Sequence, residues 1–328
     1  MSTTTRPVYR SGRRTAPRAS VHGERSRILL PIVLVVVASA VQLVSAGAAW
    51  SFDKDPVLRN LAERQEVPID GETRFNAYAD TDAFRGLSKD LGLVFAPKYL
   101  APAETLGEAG FDVGFNMSLS TVDAKADYWR GLEGGEPSPF VTAQAQVRKG
   151  VTIPYLVSLE VGGAVTWLID SELVALGTDV KWALNEGFFY LPDLALRGSL
   201  TNVVGSSDMN LTTAGFDLSI SKSWGLFGLV NVTPYAGYNR LWVISSSRLL
   251  DVAPEDPRPP IIRECDPADL GCTEDLAFQP EFVFDTEIQS LNRYFLGSRF
   301  VFGYASITLE GAFSDTVNSY SARVGFDF

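Results

Sequence analysis

The chain has 328 residues, 46% of them hydrophobic, with 28 Lys and Arg against 39 Asp and Glu for a net charge of −11. Seven of the basic residues but only one acidic residue, Glu24, precede residue 49. The remainder is strongly acidic, which argues against nucleic acid as a partner, because phosphates call for a basic surface. The single histidine, His22, also lies in that first stretch. The rest of the chain lacks the side chain that moves protons near neutral pH, and it carries no phosphate-cradling Gly loop, nucleotide fingerprint or zinc signature. The expectation is a protein without enzymatic activity, metal or cofactor.

In chain order, Arg6, Arg10, Arg13, Arg14, Arg18, Arg25 and Arg27 lead into an uncharged run over residues 28–50. Small residues at Ala46, Gly47 and Ala48 follow the apolar core of that run, so residues 1–48 read as a secretory signal, with an uncleaved anchor as the alternative. Residues 49–109 read as a helical segment rather than as strands. Val57, Leu58 and Leu61 have helical spacing within residues 55–65, and residues 82–96 place Phe84, Leu87, Leu91, Val94 and Phe95 on one side. Asp80 or Asp82 can cap the second helix, and Pro97 stops it. Such an amphipathic helix needs an apolar partner, and the expected place is across the periplasmic mouth of a barrel or on the membrane surface, or as a plug.

From Gly110 onward the pattern changes to strict alternation. Phe111, Val113, Phe115, Met117 and Leu119 point one way, and Asp112, Gly114, Asn116, Ser118 and Ser120 the other. The pattern recurs in about ten strands of roughly the 9–11 residues that cross a bilayer as tilted β-structure. The predicted architecture for residues 110–328 is all-β: a closed antiparallel up-and-down transmembrane β-barrel. Residues 278–288 are a candidate extra strand, which makes twelve the alternative. Trp167, Trp182, Trp224 and Trp242 fall near strand ends, where interfacial girdles form. The longest connections, residues 123–139 and 246–290, fall at the end away from chain entry, as expected of outer loops.

The inward row carries Asp112, Arg148, Glu160, Asp179, Lys181, Arg197, Asp217, Arg299, Glu310, Arg323 and Asp327. Both signs are present, which fits ion pairs filling the lumen or a charged constriction that selects solutes. The 246–290 stretch is acidic and proline-rich. It matches no EF-hand spacing, but its carboxylates could hold divalent cations and bridge to anionic lipopolysaccharide. Cys265 and Cys272 within it are expected to close a small disulfide loop.

The last strand, residues 320–328, alternates Tyr320, Ala322, Val324, Phe326 and Phe328 with small or charged residues and ends on Phe328. This terminal pattern resembles the carboxyl-terminal signature of Gram-negative outer-membrane proteins, which implies recognition of Phe328 by the barrel-assembly machinery. Residues 87–115 and 216–242 are similar to uncharacterised outer-membrane barrels. The resemblance implies a cell outer-membrane location, in contact with lipid and lipopolysaccharide. The function expected is a narrow or gated passive conduit for small or hydrophobic molecules; the alternative is a closed structural or adhesion-type barrel that presents its acidic loop to a partner.

Overall fold

A computed structural model describes residues 53–328 apart from 70–71, 136, 138, 154–156, 227–229, 252–260, 263–275 and 279–280. The expected disulfide between Cys265 and Cys272, the region of His22 and most of the acidic loop lie outside the described residues.

The first described elements are a single 3-10 turn, Leu58–Leu61, a hairpin of β1 (Ala62–Ile69) and β2 (Glu72–Ala79), and helix α1 (Thr81–Val94). The helix expected over residues 55–65 is absent. Leu58 and Leu61 are both buried, but a helical stripe would continue at positions 65 and 66, where the chain has Gln65 and Glu66. One turn serves the two leucines, and the polar residues after them go into the hairpin. Helix α1 keeps its sequence signals: Asp80 caps it, accepting from the Ala83 amide at 3.0 Å.

Ten strands then form the ring. They are β3 (Phe111–Thr121), β4 (Phe140–Ile153), β5 (Val157–Leu168), β6 (Val174–Asn185), β7 (Asp193–Val204) and β8 (Met209–Ser221), followed after a short β9 (Trp224–Leu226) by β10 (Val230–Ser247). Four fragments, β11 (Leu250–Asp251), β12 (Ile261–Ile262), β13 (Leu276–Phe278) and β14 (Glu281–Phe282), pair among themselves outside the ring. The last ring strands are β15 (Glu287–Phe302), β16 (Ala305–Phe313) and β17 (Asn318–Asp327). Each pairs antiparallel with its sequence neighbour, β17 pairs with β3, and β10 with β15, so the sheet closes on itself. The twelve-strand alternative is corrected to ten. Residues 278–288 supply only fragments and the start of β15, which begins at Glu287 rather than near Leu291.

Alternation decides which way the ring faces. On β3, Val113, Phe115, Met117 and Leu119 are exposed, whereas Asp112, Asn116, Ser118 and Ser120 are buried inside. The same holds around the sheet: Val180, Trp182, Leu200, Phe216, Leu218, Leu309 and Val324 look outward. Apolar outside and polar inside is the pattern of a barrel in lipid. A slip of one residue in any strand would turn its charges into hydrocarbon, at a cost of about 2–4 kcal/mol for each Arg or Lys near the midplane, so the register is strongly specified.

The two ends of the ring differ. At the near end the first and last strands meet, with Phe111 and Phe328 exchanging backbone hydrogen bonds of 3.0 and 2.8 Å. The far end carries the long connections, residues 122–139 and 248–286. Helix α1 packs at the far end, so of the places expected for it, the near-end mouth, the membrane surface or a plug, it is not at the near-end mouth. Phe84, Leu87, Leu91 and Val94 are buried there with Leu58, Leu61, Trp129, Phe140, Leu241, Val243 and Phe284, and the Phe84 and Phe284 rings stack at 4.5 Å. The close approach depends on Gly92, where a Cβ would lie 2.5 Å from the Val243 side chain. Each fully buried Leu or Phe in this seal is worth about 1.5–3 kcal/mol. The amphipathic face found its apolar partner in the rim of the barrel.

Candidate functional site in the barrel lumen

Helix α1 lies at the far mouth and β3 starts at the near one, so the residues between, 97–109, must run through the lumen. This stretch contains Pro97 and Pro102, which have no N–H to satisfy, and it forms no strand or helix of its own. Its carbonyl oxygens still need donors. The wall supplies them: Arg293 donates to the Pro97 carbonyl at 2.6 Å, Asn116 to Lys98 at 3.1 Å, and both Gln146 and Arg148 to Tyr99. Lower down, the Lys181 ammonium donates to the Pro102 and Glu104 carbonyls at 3.2 and 2.7 Å, and the Ala103 amide donates to Ser221 Oγ at 3.1 Å. The Tyr99 ring lies beneath the Arg197 guanidinium, 4.2 Å from ring centroid to cation. At the near end Thr105 donates through its amide and its hydroxyl to Glu186, and Ser223 donates to the Glu104 carboxylate at 2.9 Å.

Cross-strand register aligns the wall charges. Glu160, Lys181, Arg197, Asp217, Asn239 and Arg293 are successive partners on β5, β6, β7, β8, β10 and β15, forming a polar belt around more than half the ring. Within the belt Lys181 lies 3.0 Å from Glu160, Arg148 reaches the same carboxylate at 3.8 Å, and Arg197 is 3.5 Å from Asp179. Both Glu160 and Lys181 are 1% exposed, so their pairing compensates charges that would otherwise be costly to bury. A second group spans the closure of the ring: Arg323 pairs with Asp112, and Arg299 with Asp327, on β17, β3 and β15. Gly114 makes room for it, since a Cβ there would overlap the Arg323 guanidinium.

All eleven charges read from the alternation thus lie on the inner face. Six of them, Arg148, Glu160, Asp179, Lys181, Arg197 and Asp217, contribute to or border the belt. Four, Asp112, Arg299, Arg323 and Asp327, form the closure group. Glu310 stands apart and accepts from the Tyr235 hydroxyl at 2.8 Å. The sequence reading missed Arg293, although its alternation with Arg299 on β15 was there to be used. It gave no role to the neutral residues Asn116, Gln144 and Gln146 in the same inward rows, of which Asn116 and Gln146 donate to the segment and Gln144 accepts from Asn116. Lys98 and Tyr99 carried no such signal, because they lie in a stretch without periodicity.

The lumen is therefore filled neither by wall side chains alone nor by an open path, but by the chain's own extended segment. A cavity of ≈10 Å³ remains among Pro97, Tyr99, Arg197, Asp217, Arg293 and Glu310, room for about one water. Gly150 is shaped to the segment: a Cβ there would overlap the Gly107 carbonyl. What this arrangement does chemically is hold a backbone. Two belt donors, Lys181 and Arg293, read carbonyl oxygens of the segment, and Arg197 lies over the Tyr99 ring.

No known protein family and no curated protein matches the chain. Among solved structures it is similar to Ail, the attachment invasion locus protein of Yersinia pestis, at 12% identity over 68% of this chain and 99% of that one, with a TM-score of 0.23. It is also similar to an outer membrane channel from Pseudomonas putida F1, at 10% identity over 69% and 98% with a TM-score of 0.31. The translocator domain of the autotransporter NalP from Neisseria meningitidis matches at 7% identity over 76% and 97%, with a TM-score of 0.34. Likeness at this level concerns the barrel fold alone. The chain is a closed, antiparallel ten-stranded transmembrane β-barrel, with its lumen occupied by its own residues.

Proposed function

We propose that this protein is a closed outer-membrane barrel that carries its N-terminal segment through its own lumen and presents it, together with the connection between β10 and β15, to a partner at the cell surface. The observation that supports this reading is the course of residues 97–109, which puts the 3-10 turn, the hairpin and α1 at the mouth opposite the one where the ring strands begin and end. In bacterial barrels the short turns face the periplasm and the long loops the outside, so the far mouth is the outer one. The outward rows meet membrane lipid, the far rim meets lipopolysaccharide, and the exposed Phe328 at the near rim is the residue assigned to recognition during assembly.

A passive conduit remains the second reading, with one observation in its favour. The wall behind residues 97–109 is largely polar and charged, interrupted by the cluster of Tyr235, Phe295 and Ala312, so withdrawal of the segment would leave a mainly hydrophilic channel.

An epitope tag inserted between Ile69 and Glu72 tests the display reading. Antibody binding on intact cells is the expected result, and binding only after the outer membrane is permeabilised would overturn it. Planar-bilayer recordings separate the two readings. The full barrel is expected to stay silent, and deletion of residues 51–109 to open steps of conductance. Steps from the intact protein that scale with solute size would favour the conduit.

A further inference from the structure

The connection between β6 and β7, residues 186–192, is a near-end turn that places four large apolar side chains in the open. Phe188 and Leu191 are more than half exposed, Phe189 is 83% exposed and Tyr190 91%. The Phe189 and Tyr190 rings meet edge to face at 4.9 Å. Turns facing an aqueous compartment are ordinarily polar, and an apolar group of this size signals an interaction.

Continuity with the lipid-facing belt identifies the surface that covers it. The outward row of β6, Val180, Trp182 and Leu184, runs directly into the turn, and Ile220 on β8 and Trp224 on β9 flank it. These rows already face hydrocarbon. Lys222 fixes the turn against that belt, donating to the Phe188 and Leu191 carbonyls at 2.7 Å each. Two of the three ammonium donors are used in this way, and one is left for an outside acceptor. Aromatic rings flanked by a lysine are the composition of a membrane–water interface, where the rings sit at the level of the headgroups and the cation meets phosphate.

We infer that the β6–β7 turn is a membrane-inserting anchor, seating Phe188, Phe189, Tyr190 and Leu191 in the interfacial layer of the leaflet at the near end, with phospholipid as the partner. The anchor makes the ring asymmetric: its apolar belt extends further on the β6–β8 side. This assignment depends on the ring crossing a bilayer and not on what the far mouth presents, so it stands or falls separately from the display reading.

A spin label at residue 190 tests it. Tyr190→Cys is made in the full chain with Cys265→Ser and Cys272→Ser, labelled, and reconstituted into vesicles of phosphatidylethanolamine and phosphatidylglycerol. Collision rates with oxygen, which concentrates in lipid, are compared with those of a water-soluble nickel chelate. Leu200→Cys, in the middle of the lipid-facing belt, and Glu108→Cys, exposed at the near end, set the two limits. The expected oxygen-to-chelate ratio at residue 190 is several-fold above that at residue 108 and approaches that at residue 200. A ratio equal to that at residue 108 overturns the inference by placing the turn in water. Low collision with both reagents also overturns it, by showing that protein covers the turn. Phe189→Cys gives a second reading of the same depth if the label at residue 190 disturbs the turn.

Discussion

The far mouth and the lumen hold adjacent parts of one segment by opposite means. At the mouth, α1 is held by dry apolar contacts, with Phe84, Leu87 and Leu91 pressed into the rim and Gly92 allowing close approach to Val243. In the lumen, residues 97–109 are held by directional bonds from Arg293, Asn116, Gln146, Arg148 and Lys181 to backbone carbonyls. The mouth reads side chains; the lumen reads mainly backbone, with Tyr99, Glu104 and Thr105 the side chains it also holds. A substitution in α1 should therefore matter according to its shape, whereas most substitutions along residues 97–109 should matter only if they change the path of the main chain.

The largest effect is expected in the lumen wall. Lys181→Met removes two carbonyl donors and leaves Glu160 with only Arg148, at 3.8 Å. Breaking a buried pair from one side costs about 3–5 kcal/mol. The double change Glu160→Gln with Lys181→Met should recover part of that, because the poorly paired Glu160 carboxylate is gone, while Arg148 keeps its bonds to the Tyr99 carbonyl and Gln146. Thermal unfolding in detergent checks both variants, and a double variant no more stable than the single one would show that the loss lies in the carbonyl bonds instead. At the mouth, Leu91→Ala is expected to cost about 2–5 kcal/mol through the cavity it leaves. Its signature differs: α1 becomes open to protease while the ring stays folded, and added salt changes little. If the two variants unfolded the same element with the same salt dependence, the division between mouth and lumen would fail.

An intermediate effect comes from Asp90, a carboxylate within the apolar seal. It accepts from the Tyr128 hydroxyl and the Thr316 hydroxyl at 2.6 Å each, but burial outweighs those bonds and pushes its pKa above the ordinary 3.8. The neutral form is thus favoured in the closed mouth. Its contribution to closure is complete below the ordinary value and is lost as the pH rises through the raised one. The first transition seen by scanning fluorimetry, release of the N-terminal segment, should move to higher temperature on acidification over that window. Asp90→Asn should flatten the dependence; an unchanged slope would assign it to another group.

The ring was legible in the sequence because alternation has a fixed period and lipid enforces it. Asp112, Arg148 and Lys181 could be put on the inner face from parity alone, since one slipped residue sends a charge into hydrocarbon. The hairpin of β1 and β2 was not legible, because Leu58 and Leu61 carry a helical spacing that a single 3-10 turn satisfies. The occupant of the lumen was hidden for a different reason. Residues 97–109 have neither period, and the wall holds them through carbonyl oxygens, which every residue possesses. Only the surplus of inward donors, Asn116, Gln146 and Arg293 beside the charged residues, hinted that something other than side chains needed to be satisfied.

The smallest effects should come from the polar edge of the mouth, and they sharpen the contrast by showing how little the rim charges contribute. Asp80 caps α1 and also pairs with Arg130. Asp80→Ala should cost about 1 kcal/mol, the usual worth of an N-cap, whereas Asp80→Asn keeps the side-chain acceptor and should lose only the ion pair. Arg85 lies across two bonds from Glu287, at 3.1 and 3.0 Å, an arrangement of good geometry in an exposed place. Solvent and salt screen such a pair, so Arg85→Ala should leave the release temperature almost unchanged, and adding salt to the intact protein should do the same. A marked fall in either experiment would mean that charges at the rim, rather than the apolar contacts beneath them, hold α1 in the mouth.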